Sequence, residues 1–178
     1  MFLNIITPCS RPHLLHRIAE SINIPKENYR WIVVFDLDTI PDGIPECEAY
    51  CIKDTGSVCG NSQRNLAINL VTEGYIYFND DDTTMHPELW NNIKDLTNDF
   101  IHFDQEEIDG SIRLRQSKVR LSYIDSHNFI VHTTIVGNER FVIHRRDADG
   151  VFAENCYNRS KTSNYIPKVL STYNALRK

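Results

Sequence analysis

Gly74-Tyr75-Ile76-Tyr77-Phe78-Asn79-Asp80-Asp81-Asp82-Thr83-Thr84 decides the fold: an apolar run that ends in three consecutive carboxylates. Residues 75–78 lack the apolar/polar alternation of a half-exposed strand, and so predict a short strand buried on both faces, as in a parallel sheet. The acids then fall at its carboxyl edge, where open α/β sheets bind ligands. Three adjacent carboxylates repel one another by ~1 kcal/mol per pair in water and ~4 kcal/mol near a protein surface, a cost that a bound divalent cation reverses. An extended chain would point Asp80 and Asp82 one way and Asp81 the other. That offers two oxygen ligands to a hard cation and leaves a third carboxylate for a hydroxyl-rich ligand. The competing reading is a solvated loop in which Asp81 to Thr84 cap a helix beginning near His86-Pro87-Glu88.

Upstream, residues 2–7 read as a first strand, followed by the turn Pro8-Cys9-Ser10-Arg11-Pro12 and a helix with Ser10 as N-cap and Leu14, Leu15, Ile18, Ala19 and Ile22 at helical spacing. A second strand over 29–35 ends in Asp36-Leu37-Asp38-Thr39. Pro41, Gly43 and Pro45 break the chain before a weaker third strand over 49–53. The loop 56–62 leads into a helix over 63–71, and residues 87–96 have amphipathic spacing. Strand alternates with helix through the first hundred residues, which predicts an α/β fold with a mostly parallel sheet covered on both faces.

Downstream the pattern changes to short strands at 100–103, 112–115, 128–131 and 140–143, with Asp109-Gly110 as a turn. Asp147-Ala148-Asp149-Gly150 precedes a short helix, and 165–173 form a last strand or tail. No repeat, low-complexity tract or long linker interrupts residues 1–178, so a single domain is expected.

The 178 residues can bury a core without disulfide staples. A hydrophobic content of 41% and a charged content of 24% are those of an ordinary globular protein. The net charge of −5 and the lack of any Lys/Arg run argue against a nucleic-acid partner. No apolar stretch has the ~20 residues of a membrane span, and Met1-Phe2-Leu3-Asn4 is no signal peptide, so the cytoplasm is the expected location. The five cysteines contain no Cys-x-x-Cys pair; Cys47, Cys51 and Cys59 raise zinc only weakly, and reduced thiols are expected.

Taken in order, Thr7-Pro8-x-x-Arg11-Pro12, the strand end at Asp36, Gln63-Arg64-Asn65-x-Ala67, Tyr77-Phe78-x-Asp80-Asp81-Asp82-x-Thr84 and Glu88-Leu89 resemble a nucleotide-sugar glycosyltransferase of the GT-A fold. The likeness is to the animal glucuronyltransferases with an Asp-Asp-Asp motif and to small single-domain viral and bacterial glycosyltransferases. It implies a Rossmann-like domain with a nucleotide-binding half over 1–100 and a small mixed or antiparallel acceptor-side half over 101–178.

The resemblance also implies roles. Asp82, with Asp80, is expected to bind Mn²⁺ or Mg²⁺ that bridges a diphosphate, and Asp81 to hold the ribose. Asp36 is expected to pair with the uracil imide of a UDP-sugar, Thr7, Pro8 and Arg11 to line the base pocket, and Arg64 to lie near the nucleotide. Carboxylates accept from base N–H groups and ribose hydroxyls, and Arg forks onto phosphate oxygens.

Inverting transfer to a glycan or other hydroxyl acceptor also needs a base, for which Asp149 is the candidate and Asp147 its rival. The catalytic glutamate of the glucuronyltransferases has no counterpart here, and the acceptor half is short. Two other readings compete. Val33-Val34-Phe35-Asp36-Leu37-Asp38-Thr39 resembles the haloacid-dehalogenase phosphatase signature, with Asp36 as nucleophile and Asp38 as general acid. The chain could also be a nucleotide-sugar-binding module without turnover.

Overall fold

A computed structural model describes residues 1–53, 56–115 and 118–176. Eight strands form one sheet: β1 (Leu3–Cys9), β2 (Tyr29–Phe35), β3 (Glu48–Cys51), β4 (Tyr75–Phe78), β5 (Phe100–Glu106), β6 (Ile112–Leu114), β7 (Phe129–His132) and β8 (Ser163–Thr172). The order is β3-β2-β1-β4-β7-β5-β6, with β8 paired to β5. β1 to β4 run parallel, β7 opposes both β4 and β5, β6 opposes β5, and β8 runs parallel to β5. The sheet is therefore mostly parallel, and each of its antiparallel pairs involves a strand of the second half of the chain, β7 or β6.

Side-chain alternation along the central strands explains why both faces are apolar. Leu3, Ile5, Trp31, Val33, Tyr75 and Tyr77 face one core with Leu15 and Ile18 of helix α1 (Leu15–Ser21) and with Leu89 and Ile93 of α3 (Leu89–Ile93). Ile6, Ile32, Val34, Ile76 and Phe78 face the other, with Ala67 and Ile68 of α2 (Asn61–Leu70) and Phe152 and Ala153 of α5 (Ala148–Arg159). All four residues of β4 are buried, as the uninterrupted apolar run predicts. A single turn of helix, α4 (Thr133–Val136), completes the elements.

Four expectations are corrected. Ser10 caps nothing; a 3-10 turn at Pro12–Leu14 precedes α1, and no side chain caps it. The helix expected over 87–96 contracts to Leu89–Ile93. Residues 140–143 are not a strand. Their backbone is held instead by side-chain amides: Asn65 donates to the Phe141 carbonyl (2.9 Å) and accepts from its N–H (2.8 Å), and Asn61 donates to the Val142 carbonyl (3.1 Å). Asp149 lies within the first turn of α5 rather than ahead of it.

Candidate active site

The strand order reverses between β1 and β4, because β2 and β3 continue on one side of β1 and β4 lies on the other. Ligands of open α/β sheets bind at such a switch point, beyond the carboxyl ends of the strands. Here that crevice holds a cavity of about 390 Å³ lined by the acid run, the β1 turn, the first turn of α2 and Asp149.

The chain does not stay extended through the acids. Thr83 N–H closes a turn on the Asp80 carbonyl (3.1 Å), and the three carboxylates diverge. Asp81 is buried and accepts from the Ser10 N–H (2.6 Å), the Arg11 N–H (2.7 Å), the Ser10 hydroxyl (3.1 Å) and the Arg11 guanidinium. It fastens the β1 turn across the switch point, and a ribose hydroxyl there would add to these donors or replace one. The buried Asp82 shares Arg11, at 3.1 Å, and its carbonyl accepts from the Leu176 N–H (2.7 Å). Asp80 is the more open, with its side chain 27% exposed. Its Oδ1 pairs with Arg64 and its Oδ2 lies 3.0 Å from His127 Nε2. Burial alone would raise the Asp80 pKa, but the charges of Arg64 and His127 outweigh it and hold the carboxyl well below the usual range.

His127 went unassigned from the sequence, yet it is buried beneath Asp80. Burial disfavours its charge, but Asp80 and Asp125 overcome this and bring its pKa up to about 9. Asp125 caps the turn that carries it, accepting from the His127 N–H (3.1 Å), while Asn128 accepts from the Asp125 N–H (3.0 Å). Arg113 of β6 pairs with Asp125 at 2.9 Å and lies 3.7 Å from the centre of the Tyr173 ring. The only local trace of this arrangement is the capping pattern Asp125-Ser126-His127-Asn128. The contact with Asp80 depends on β7 pairing with β4.

Asp149 occupies the opposite wall. Its pKa rises to about 6 because it is partly buried and faces the charge of Asp125; the Gly150 N–H, donating at 2.8 Å, and Arg64 only partly offset this. Phe152, one turn on along the same helix face, meets Phe78 edge-on at 5.7 Å and stacks on Phe141 at 4.4 Å. Since Phe78 directly precedes Asn79 and the acids, one aromatic cluster ties both walls. Asp147, the rival base, is paired with Arg145 at 2.7 Å and is absent from the cavity lining.

The structure thus brings Pro8, Arg11, Asp36 and Arg64 to one cavity with Asp80, Asp81, Asp82 and Asp149. Thr7 is the exception. It is fully buried, donating to the Asn79 carbonyl (2.7 Å) and accepting from Trp31 Nε1 (3.0 Å), and so pins β1 to its neighbours. Asp38 also lies away from the cavity, paired with Lys53 at 2.8 Å, which separates it from Asp36 and disfavours the phosphatase reading.

Arg11, Arg64 and Arg146 face six cavity carboxylates, so the site has surplus negative charge. Among the described residues no three His, Cys, Asp or Glu side chains gather in metal-binding geometry. Mg²⁺-type sites built on one or two carboxylates, with water and substrate phosphates as the other ligands, need no such group. Asp80 and Asp82 offer hard oxygens of that kind, and because Asp80 is paired with Arg64 and His127 and Asp82 with Arg11, a cation held there would share or displace those partners.

No protein-family profile and no curated protein matches the sequence. Solved structures do match. TarS of S. aureus, residues 1–349, aligns at TM-score 0.76 and 17% identity over 97% of this chain and 60% of that one. The same protein in complex with UDP-GlcNAc aligns at 0.73 and 15%, covering 97% and 58%. The mannosyltransferase PcManGT from Pyrobaculum calidifontis, in complex with GDP-Man and Mn²⁺, aligns at 0.68 and 15%, covering 99% and 57%. This chain spans about three fifths of the length of those aligned chains. Among the described residues no helix is long and apolar enough to cross a membrane. With its strand order, its acids at the switch point and these likenesses, the chain has the GT-A fold of nucleotide-sugar glycosyltransferases.

Proposed function

We propose that the protein is a metal-dependent glycosyltransferase that moves a sugar from a nucleotide sugar, UDP-linked by preference, to an acceptor hydroxyl with inversion. The observation that carries this reading is that one cavity at the switch point holds both an acid run paired with arginines and, on the facing wall, a carboxylate whose pKa is raised to about 6. A pair of acids pushed in opposite directions is the arrangement expected of separate binding and proton-transfer roles.

Asp80 and Asp82 would hold Mn²⁺ or Mg²⁺. When bound, the cation neutralises charge on the departing diphosphate. Arg64 and His127 keep Asp80 ionised and oriented. Arg11, fixed by Asp81 and Asp82, closes the donor side, and Asp36 accepts from the base. Asp149 takes the proton of the acceptor hydroxyl as its oxygen bonds the anomeric carbon. The bond from that carbon to the phosphate oxygen breaks, and the nucleoside diphosphate leaves with the electron pair. Release of nucleoside diphosphate from a panel of nucleotide sugars, with and without Mn²⁺, tests the assignment. Turnover that needs the metal supports it. Tight donor binding with no turnover for any acceptor or for water would favour the binding-module reading.

A further inference from the structure

Resting on the reading of Asp149 as the base of a glycosyl transfer, we infer that the acceptor carries an oxyanion, a phosphate or a carboxylate, and that Arg146 is the specificity-determining residue that receives it. Three arginines line the cavity, and two are committed: Arg11 to Asp81 and Asp82, Arg64 to Asp80 and the Cys59 carbonyl. Arg146 lines the same cavity, yet its guanidinium has neither an ion-pair nor a hydrogen-bond partner among the described residues. Six carboxylates share that lining and none of them takes it. Its chain neighbours, by contrast, are fixed. The Val58 N–H donates to the Ile143 carbonyl (3.0 Å), Asn61 donates to the Arg145 carbonyl (2.8 Å), and the Arg145 guanidinium is paired with Asp147 (2.7 Å). The backbone that carries Arg146 is therefore held against the start of α2, while its side chain stays uncommitted.

Position and charge select what that side chain meets. Arg146 lies three residues ahead of Asp149, on the α5 side, where an acceptor hydroxyl has to arrive for its proton to be taken. The donor diphosphate belongs to the opposite wall, with the cation at Asp80 and Asp82. Around Arg146 the chain turns basic: residues 112–147, from β6 to the residue before α5, carry seven Lys and Arg against three Asp and Glu, in a chain with 19 against 24 overall. One of these cations, Arg120, stacks on the exposed ring of Tyr123 at 4.1 Å. Its loop packs on α5, where the Leu121 N–H donates to Glu154 (3.4 Å). An acceptor bearing negative charge would be repelled by the surplus of cavity carboxylates unless a cation stood on its side of the site. A neutral polyol needs no such cation, since carboxylates already accept from its hydroxyls. The guanidinium has five donors and no acceptor, and its fork matches the paired oxygens of a phosphate or carboxylate.

Transfer to paired acceptors tests this: glycerol against glycerol 3-phosphate, glucose against glucose 6-phosphate, and methyl glucoside against methyl glucuronide. The donor is the nucleotide sugar turned over fastest in the panel above, with Mn²⁺ present. In at least one pair the anionic member is expected to have a kcat/KM at least tenfold higher, and the phosphate and uronate pairs tell the two oxyanions apart. In R146Q the two members of that pair are expected to converge, through a KM for the anionic member raised about tenfold. In R146E the neutral member is expected to be preferred, and in both variants calorimetry is expected to give nucleoside diphosphate affinity within twofold of wild type. Neutral members used as well as anionic ones, no transfer to any anionic member, a preference that survives in R146Q, or a loss of nucleotide affinity equal to the loss for the acceptor would each overturn this role and leave the transferase assignment standing. A wild type that neither binds a nucleotide nor hydrolyses any donor would instead sink the transferase reading, and this inference with it.

Discussion

The two walls of the cavity treat their carboxylates in opposite ways. On the β4 wall Asp80 has two cationic partners and is held ionised; on the α5 wall Asp149 has no salt-bridge partner among the described residues, faces Asp125 and is held towards its neutral form. Both acids are partly buried, which raises both carboxyls; at Asp149 that burial prevails and Asp125 adds to it, whereas at Asp80 the charges of Arg64 and His127 reverse it. The difference suits the division of labour proposed above, with one wall holding its carboxylate charged and the other holding a carboxyl closer to neutrality.

The largest effect is expected for Asp149→Asn, which removes the proposed base. Transfer should fall by about 10³-fold, in the range of general-base losses, with nucleoside diphosphate affinity nearly unchanged. Unchanged transfer would place the base elsewhere. The same variant carries a stability signature. A folded pKa of about 6, above the unfolded 3.8, means that the native state holds the extra proton between roughly pH 4 and 6. Wild-type stability therefore falls as pH rises through that window, and Asp149→Asn is expected to escape the loss and exceed wild type by about 1–3 kcal/mol at pH 8. Thermal melts of both proteins at pH 4.5 and 8 measure it. In the wild type the transfer rate is expected to drop tenfold per unit below about pH 6.

On the other wall, Asp80→Asn leaves Arg64 and His127 buried without their counter-charge. A loss of about 3 kcal/mol by urea denaturation is expected, together with loss of Mn²⁺-supported nucleotide binding. A variant as stable as wild type would erase the contrast between the walls. Asn65→Ala releases the backbone of Phe141, and with it the aromatic clasp joining them; about 1–3 kcal/mol is expected, with a weaker effect on binding than on transfer. Smallest is Gly60→Ala. Gly60 has φ +73° and a Cβ there would lie 2.7 Å from Pro8 Cβ, so about 1–2 kcal/mol and a displaced α2 start are expected, read as a lowered Tm and weakened nucleotide binding.

The same contrast explains what could be read from the chain beforehand. The β4 wall was legible because its signals are local: an uninterrupted apolar run, then three acids, in a series of alternating strands and helices. Asp149 was placed only roughly, since the sequence put it before a helix that in fact begins at Ala148. His127 could not be found, because its value lies in a partner 47 residues away. Residues 140–143 were mistaken for a strand since Phe141, Val142 and Ile143 are apolar and β-prone, while the amides that hold them come from α2, 76 and 81 residues earlier in the chain. The β1 turn misled for the same reason: Ser10 looks like a helix cap until Asp81, 71 residues on, claims both its donors.

The clasp between the Leu176 amide and the Asp82 carbonyl has a consequence for how the molecule is assembled. Together with the pairing of β8 along β5, whose Gln105 and Ser171 meet across 66 residues, it leaves the cavity to be closed by a strand synthesised well after the strands it completes. A chain emerging from the ribosome would display its clustered acids and an open sheet edge until then. Refolding from denaturant is accordingly expected on the millisecond-to-second scale of long-range strand pairing, with fluorescence of the buried Trp31 and Trp90 reporting the final closure.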